Sequence, residues 1–114
     1  MAMHQAGARA YQAQAGRRNL REQEADVFRG VTGGLRAAKA NPVLQGRAVA
    51  DNVRLWLMLS DVLRDPANAL PAKMRAEIVS VGQALLREMA RPEPDLDFLI
   101  HVNENLTAGL SGAS

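Results

Sequence analysis

Apolar side chains recur along most of this 114-residue chain at the three- and four-residue steps of an α-helix. The cleanest run is Met74, Ile78, Val81, Leu85 and Met89. It predicts one buried stripe on a helix from Pro71 to about Ala90, with Lys73, Arg75, Glu77, Arg87 and Glu88 largely outside it. Upstream, Leu20, Val27, Phe28, Val31, Leu35 and Ala38 share a face of a helix that should start at Asn19, where Asn19 and Glu22 suit a capping pair. Ala40-Asn41-Pro42 ends it, because a residue before proline is pushed out of the helical region. A second helix is predicted from Pro42 or Leu44 to Leu63. A last one runs from about Asp95 to Leu110, turning Leu99, Val102, Leu106 and Leu110 inward. The proline-bracketed stretches RDPANALP (64–71) and RPEPD (91–95) read as loops. No useful length alternates apolar and polar in the strand manner. The expected fold is therefore all-α: a compact bundle of four main helices plus a short N-terminal helix around Ala8–Ala15. It forms a single domain over 1–114, with flexible ends at about 1–7 and 111–114.

Three places depart from simple patterning. Residues 52–59, NVRLWLML, put five apolar side chains in a row from Leu55 to Leu59 and hold the only tryptophan. Five neighbours encircle a helix, so either the segment runs through its own core or one flank serves something else. Asn52 stands one turn before Trp56, and Asn103 lies between Leu99 and Leu106 on an apolar face. Buried amides need partners, so these two either bond across the bundle and set helix register or sit at its wet edge. Gly30, Gly33 and Gly34 fall inside the first long helix. Close approach of a neighbouring helix is the reading taken, with a loosened segment as the alternative.

Charge and composition narrow the functions. Residues 1–50 carry eight basic against three acidic side chains, and residues 51–114 carry six against nine. Nucleic acid is the candidate partner for the basic half, densest at Arg17, Arg18 and Arg21. No aromatic side chains interleave those arginines for base stacking, so a solvated helix start is preferred. With no cysteine there is neither a disulfide framework nor a thiolate metal site. His101, flanked at helical spacing by Asp97 and Glu104, reads as a surface histidine rather than a metal ligand. No cofactor cradle is present, no membrane span is long enough, and catalysis is not expected. The opening residues lack a secretory pattern, so a cytoplasmic location is expected.

Several segments occur in a telling order: AYQ (10–12), NVRLW (52–56), NALP (68–71), MRAEIVSVG (74–82) and LIHVNENLTAGL (99–110). Together they resemble the bacterial flagellar biosynthesis regulator family FlaF, over nearly the whole chain from about Tyr11 to Leu110. Val53 stands where that family commonly has arginine, Met74 where leucine is usual, and GQALLREM (82–89) lacks an aromatic residue often found there. The resemblance implies a non-enzyme that promotes flagellin production and export and binds flagellin as a small chaperone. It also implies work alongside an FlbT-like regulator. A chain awaiting export, whose ends become amphipathic helices in the filament, suits an apolar groove on a helical host. On that expectation Trp56, Asn52 and Asn103 serve core and register. Tyr11, Val53, Leu57 and Met58 are the candidates for partner binding. The competing explanation is that the helix around Tyr11 covers the flank of the other three, and both hold if that helix is displaced on binding. The alternative is an RNA-binding regulator acting through Arg17, Arg18 and Arg21.

Overall fold

In the computed structural model, residues 24–112 have a described backbone and residues 24–109 described side chains. Helix α1 occupies residues 24–40 of this stretch. A 3-10 turn, Pro42–Leu44, leads directly into α2, Gln45–Arg64. Then come α3, Ala72–Met89, and α4, Leu96–Gly112. Among the described residues there is no strand. The helical ends are where the prolines and small polar residues place them. Asn41 accepts the Val43 N–H at 3.2 Å ahead of the 3-10 turn. Pro71 precedes α3, and Asp95 accepts the Phe98 N–H at 3.1 Å to open α4. The short helix at Ala8–Ala15, the Asn19–Glu22 cap, Tyr11, Arg17, Arg18, Arg21 and the extreme ends lie outside the described residues.

Side-chain pairings give the topology. Phe28 meets Trp56 edge-on, Asn52 reaches Met89, and Lys39 pairs with Asp97 while Thr32 touches Asn103. Each helix thus runs antiparallel to the one before it, and α4 returns beside α1 in an up-down-up-down bundle. The core gathers Leu35, Trp56, Leu85, Leu99 and Ile100, with Ala38 and Ala48 where α1 and α2 converge.

Three expectations need correction. The α3 stripe is closed only at Leu85 and Met89, while Met74 and Val81 are each 41% exposed and Ile78 is half-buried. The side of α3 toward α4 is therefore left partly open. Arg75 is not an outward charge. Its guanidinium donates to the carbonyls of Leu70 and Leu63 at 3.0 and 3.1 Å, tying the start of α3 to the end of α2. That bond satisfies a carbonyl the helix terminus leaves orphaned. Finally, a Cβ on Gly30, Gly33 or Gly34 would meet no described atom within 4 Å, so no described helix approaches closely there. The close approach is at Gly82 instead. A Cβ there would stand 3.0 Å from Trp56 Cε3 and 3.5 Å from Ser60 Oγ. Absence of a side chain at Gly82 lets the indole approach α3 closely.

Candidate partner-binding surface

Around Trp56 the bundle interior is polar as well as apolar. The Trp56 indole N–H donates to Asn103 Oδ1 at 2.9 Å, and Asn103 Nδ2 donates to Asn52 Oδ1 at 2.8 Å and to Thr32 Oγ1 at 3.2 Å. Asn52 Nδ2 in turn faces Met89 Sδ at 3.2 Å. Both amides have no solvent exposure. An indole nitrogen can only donate, which fixes Asn103 with its oxygen toward Trp56 and so orients Asn52 as well. One member comes from each of α1, α3 and α4 and two from α2. No described buried side-chain nitrogen or oxygen lacks a partner. These bonds leave the buried indole in one orientation, beneath a groove.

That groove lies between α3 and α4. Trp56, 1% exposed, lies beneath it; Ile78 and Val81 form one wall, and Val102 and Leu106 the other. Glu77 stands on the α3 lip and Asn105 on the α4 lip. Asn105 is engaged with His101 across 3.1 Å, so that lip is neutral. The apolar surface continues past both ends, to Met74 on α3 and Phe98 on α4, each 41% exposed.

The row Leu55 to Leu59 resolves differently. Leu55 and Trp56 are buried and Leu59 half-buried, whereas Leu57 is 49% and Met58 65% exposed. Val53 is half-buried against the core. Leu57 stands one turn from Val53. Met58 falls with exposed Val62 on the other side of the ridge carrying Arg54 and Asp61. Val53, Leu57 and Met58 are therefore not one flank, and they line a convex ridge rather than a concavity. Sequence reasoning missed the groove because its walls come from two helices whose relative placement no local pattern reports. The one available sign was the α3 stripe, too regular to reveal which part of it α4 leaves uncovered.

Elsewhere the surface is charged. On the other flank of α4, Arg36 pairs with Glu104 at 2.6 Å and Lys39 with Asp97. His101 thus has neither acid to itself, and among the described residues no cluster of ligands suits a metal. Glu88 accepts the Asp95 N–H and the Arg91 guanidinium, both at 3.0 Å, closing the α3–α4 loop. The backbone N–H chiefly, with Arg91 in support, holds the Glu88 carboxyl below its ordinary value despite partial desolvation. No described helix is long and apolar enough to cross a membrane.

A family model described as flagellar protein FlaF matches residues 7–110 of the chain. No curated protein and no solved structure matches it significantly.

Proposed function

Because the chain belongs to the FlaF family of flagellar proteins, we propose that it is a cytoplasmic, non-enzymatic regulator that binds flagellin and promotes its production and export. The observation that carries this reading is the α3–α4 groove, an apolar trough walled by Ile78, Val81, Val102 and Leu106 above the buried Trp56 ring. A segment that is unstructured before export and amphipathic when helical could lay its apolar face there as an added helix. Ordering that segment costs about 2–5 kcal/mol or more, which keeps the complex releasable. Leu57 and Met58 offer further apolar contact on the α2 ridge. An FlbT-like regulator is the natural second partner, and the ridge leaves room for it while the groove is filled.

An RNA-binding role draws less support. Arg17, Arg18 and Arg21 lie outside the described residues. The basic side chains of α1 already face carboxylates: Arg29 pairs with Asp26, Arg36 with Glu104 and Lys39 with Asp97.

Trp56 is the chain's only tryptophan and lies just beneath the groove, so its emission is the natural reporter of occupancy. Titration of the purified protein with flagellin is expected to give a saturable change in that emission, with little response to added salt. Val81→Asp should abolish it, since a buried carboxylate without a partner is costly. No emission change and no co-elution with flagellin would end the proposal. A titration with flagellin messenger RNA that weakens steeply with salt would favour the nucleic-acid reading instead.

A further inference from the structure

We infer that the α3–α4 groove seats a fifth helix of about three turns, and that Glu77 selects one carrying lysine or arginine beside its apolar stripe. This rests on the partner-binding role proposed above and specifies the chemistry of the partner.

Length comes first. Antiparallel packing puts Phe98 at one end of the trough, near the α3–α4 loop, and Met74 at the other. From Phe98 to the level of Met74 is about eleven residues of α4, or roughly 16 Å at 1.5 Å per residue. A shorter segment leaves Met74 or Phe98 exposed. A longer one projects past the bundle without further contact.

Charge gives the selectivity. Among the groove residues Glu77 alone is charged, and it is exposed on one lip. No described ion pair includes it; Lys73, one turn before, is not within bonding reach. The other lip is the Asn105 amide, engaged with His101. A helix with apolar side chains in the trough must present one flank to each lip. A cation on the flank facing Glu77 is attracted, whereas an acid there is repelled. Because only one lip is charged, a cation on a single flank also fixes which way along the groove the helix runs.

Two synthetic fifteen-residue amphipathic peptides, identical except for lysine or glutamate at one position beside the apolar stripe, test this by Trp56 fluorescence. The lysine peptide should bind the full-length protein about three- to tenfold more tightly at low salt, with the gap narrowing as salt is added. Glu77→Gln should bring the two peptides to parity, and Glu77→Lys should invert the preference. Glu104→Gln, on the far flank of α4, should leave the preference intact. Circular dichroism confirms that each variant is folded. Equal binding of the two peptides, a preference that survives Glu77→Lys, or binding of neither peptide overturns the inference. A parallel titration with flagellin separates the two levels. Discrimination between peptides without flagellin binding removes flagellin as the partner and keeps the selectivity. Flagellin binding without discrimination does the reverse.

Discussion

On its α1 side, helix α4 closes the seam with opposite charges in water: Arg36 to Glu104 and Lys39 to Asp97, every partner about half exposed or more. On its α3 side the same helix offers Val102 and Leu106 to an apolar trough, with Glu77 the one charged side chain among the described residues that line it. Both flanks belong to one helix packed between two neighbours, and both are irregular at the surface. A seam that only has to hold two helices together is served by exchangeable ion pairs over a closed core. Partly exposed apolar walls do not stabilise an isolated bundle, because exposed apolar surface costs free energy in water. Among the described residues nothing covers those walls, an asymmetry for which the proposed binding role accounts.

The strongest way to break the comparison is to remove what holds α4 between its two flanks. Asn103→Ala leaves the Trp56 indole N–H and Asn52 Oδ1 unpaired in the interior and drops the bond to Thr32. At about 1–3 kcal/mol per stranded buried group, a loss of about 3 kcal/mol is expected, read as a lower urea midpoint. Trp56 emission should also become heterogeneous, since its orientation is no longer fixed. A variant as stable as the parent means the network does not position the groove floor.

Gly82→Ala addresses that floor from the other side. Its new methyl would stand 3.0 Å from Trp56 Cε3, so the ring must shift toward the groove. Overpacking costs typically about 1–3 kcal/mol, and the gain in helix propensity returns about 1. A net destabilisation of about 1 kcal/mol with altered peptide binding is expected. Gly33→Ala is the control: its methyl meets no described atom within 4 Å. It should stabilise by about 0.5–1 kcal/mol without touching binding. If the two glycines behave alike, the distinction between a packing glycine and an incidental one fails.

These residues also mark what the sequence could tell. Helix order and ends were legible because proline, asparagine and aspartate act locally, as Asn41, Pro71 and Asp95 do. Asn52 and Asn103 were recognisable as polar positions on apolar faces, and they meet directly. At the glycines of α1 no described helix makes the close approach expected, because the cost of a missing side chain is local while its benefit depends on a neighbour. Gly82, within MRAEIVSVG, carried no local sign of contact with Trp56. The exposed part of the α3 stripe was illegible for the same reason: periodicity reports which face is apolar, and the path of α4 decides how much of it is covered. Val53, Leu57 and Met58 were grouped by adjacency in sequence, but helical rotation separates Met58 from the other two.

Glu88 offers a smaller test, at the end where α3 passes to α4. Its carboxyl is held below the ordinary value of 4.5, chiefly by the Asp95 N–H. A lowered folded-state pKa contributes stability that is fully present above the unfolded value and lost as pH falls through the folded one. Glu88→Gln should therefore be less stable than the parent near neutral pH. The gap should close as pH drops below 4.5 and should not widen above neutrality. Urea midpoints across the acid range measure it, and a gap independent of pH means the charge of Glu88 contributes nothing.

The smallest effect should come from the charged seam. Lys39→Met and Arg36→Met keep most of the aliphatic stem while deleting the charge opposite Asp97 and Glu104. Exposed pairs contribute about 0–1 kcal/mol, so each variant should lose no more than about 0.5 kcal/mol. At 1 M salt, where screening acts within about 3 Å, even that difference should shrink toward zero. Neither change should alter peptide discrimination, since both act on the far side of α4 from Glu77. A loss above about 1.5 kcal/mol, or an effect on binding, would mean that the α1 seam positions α4 against the groove. The two flanks would then have to be treated as one coupled surface.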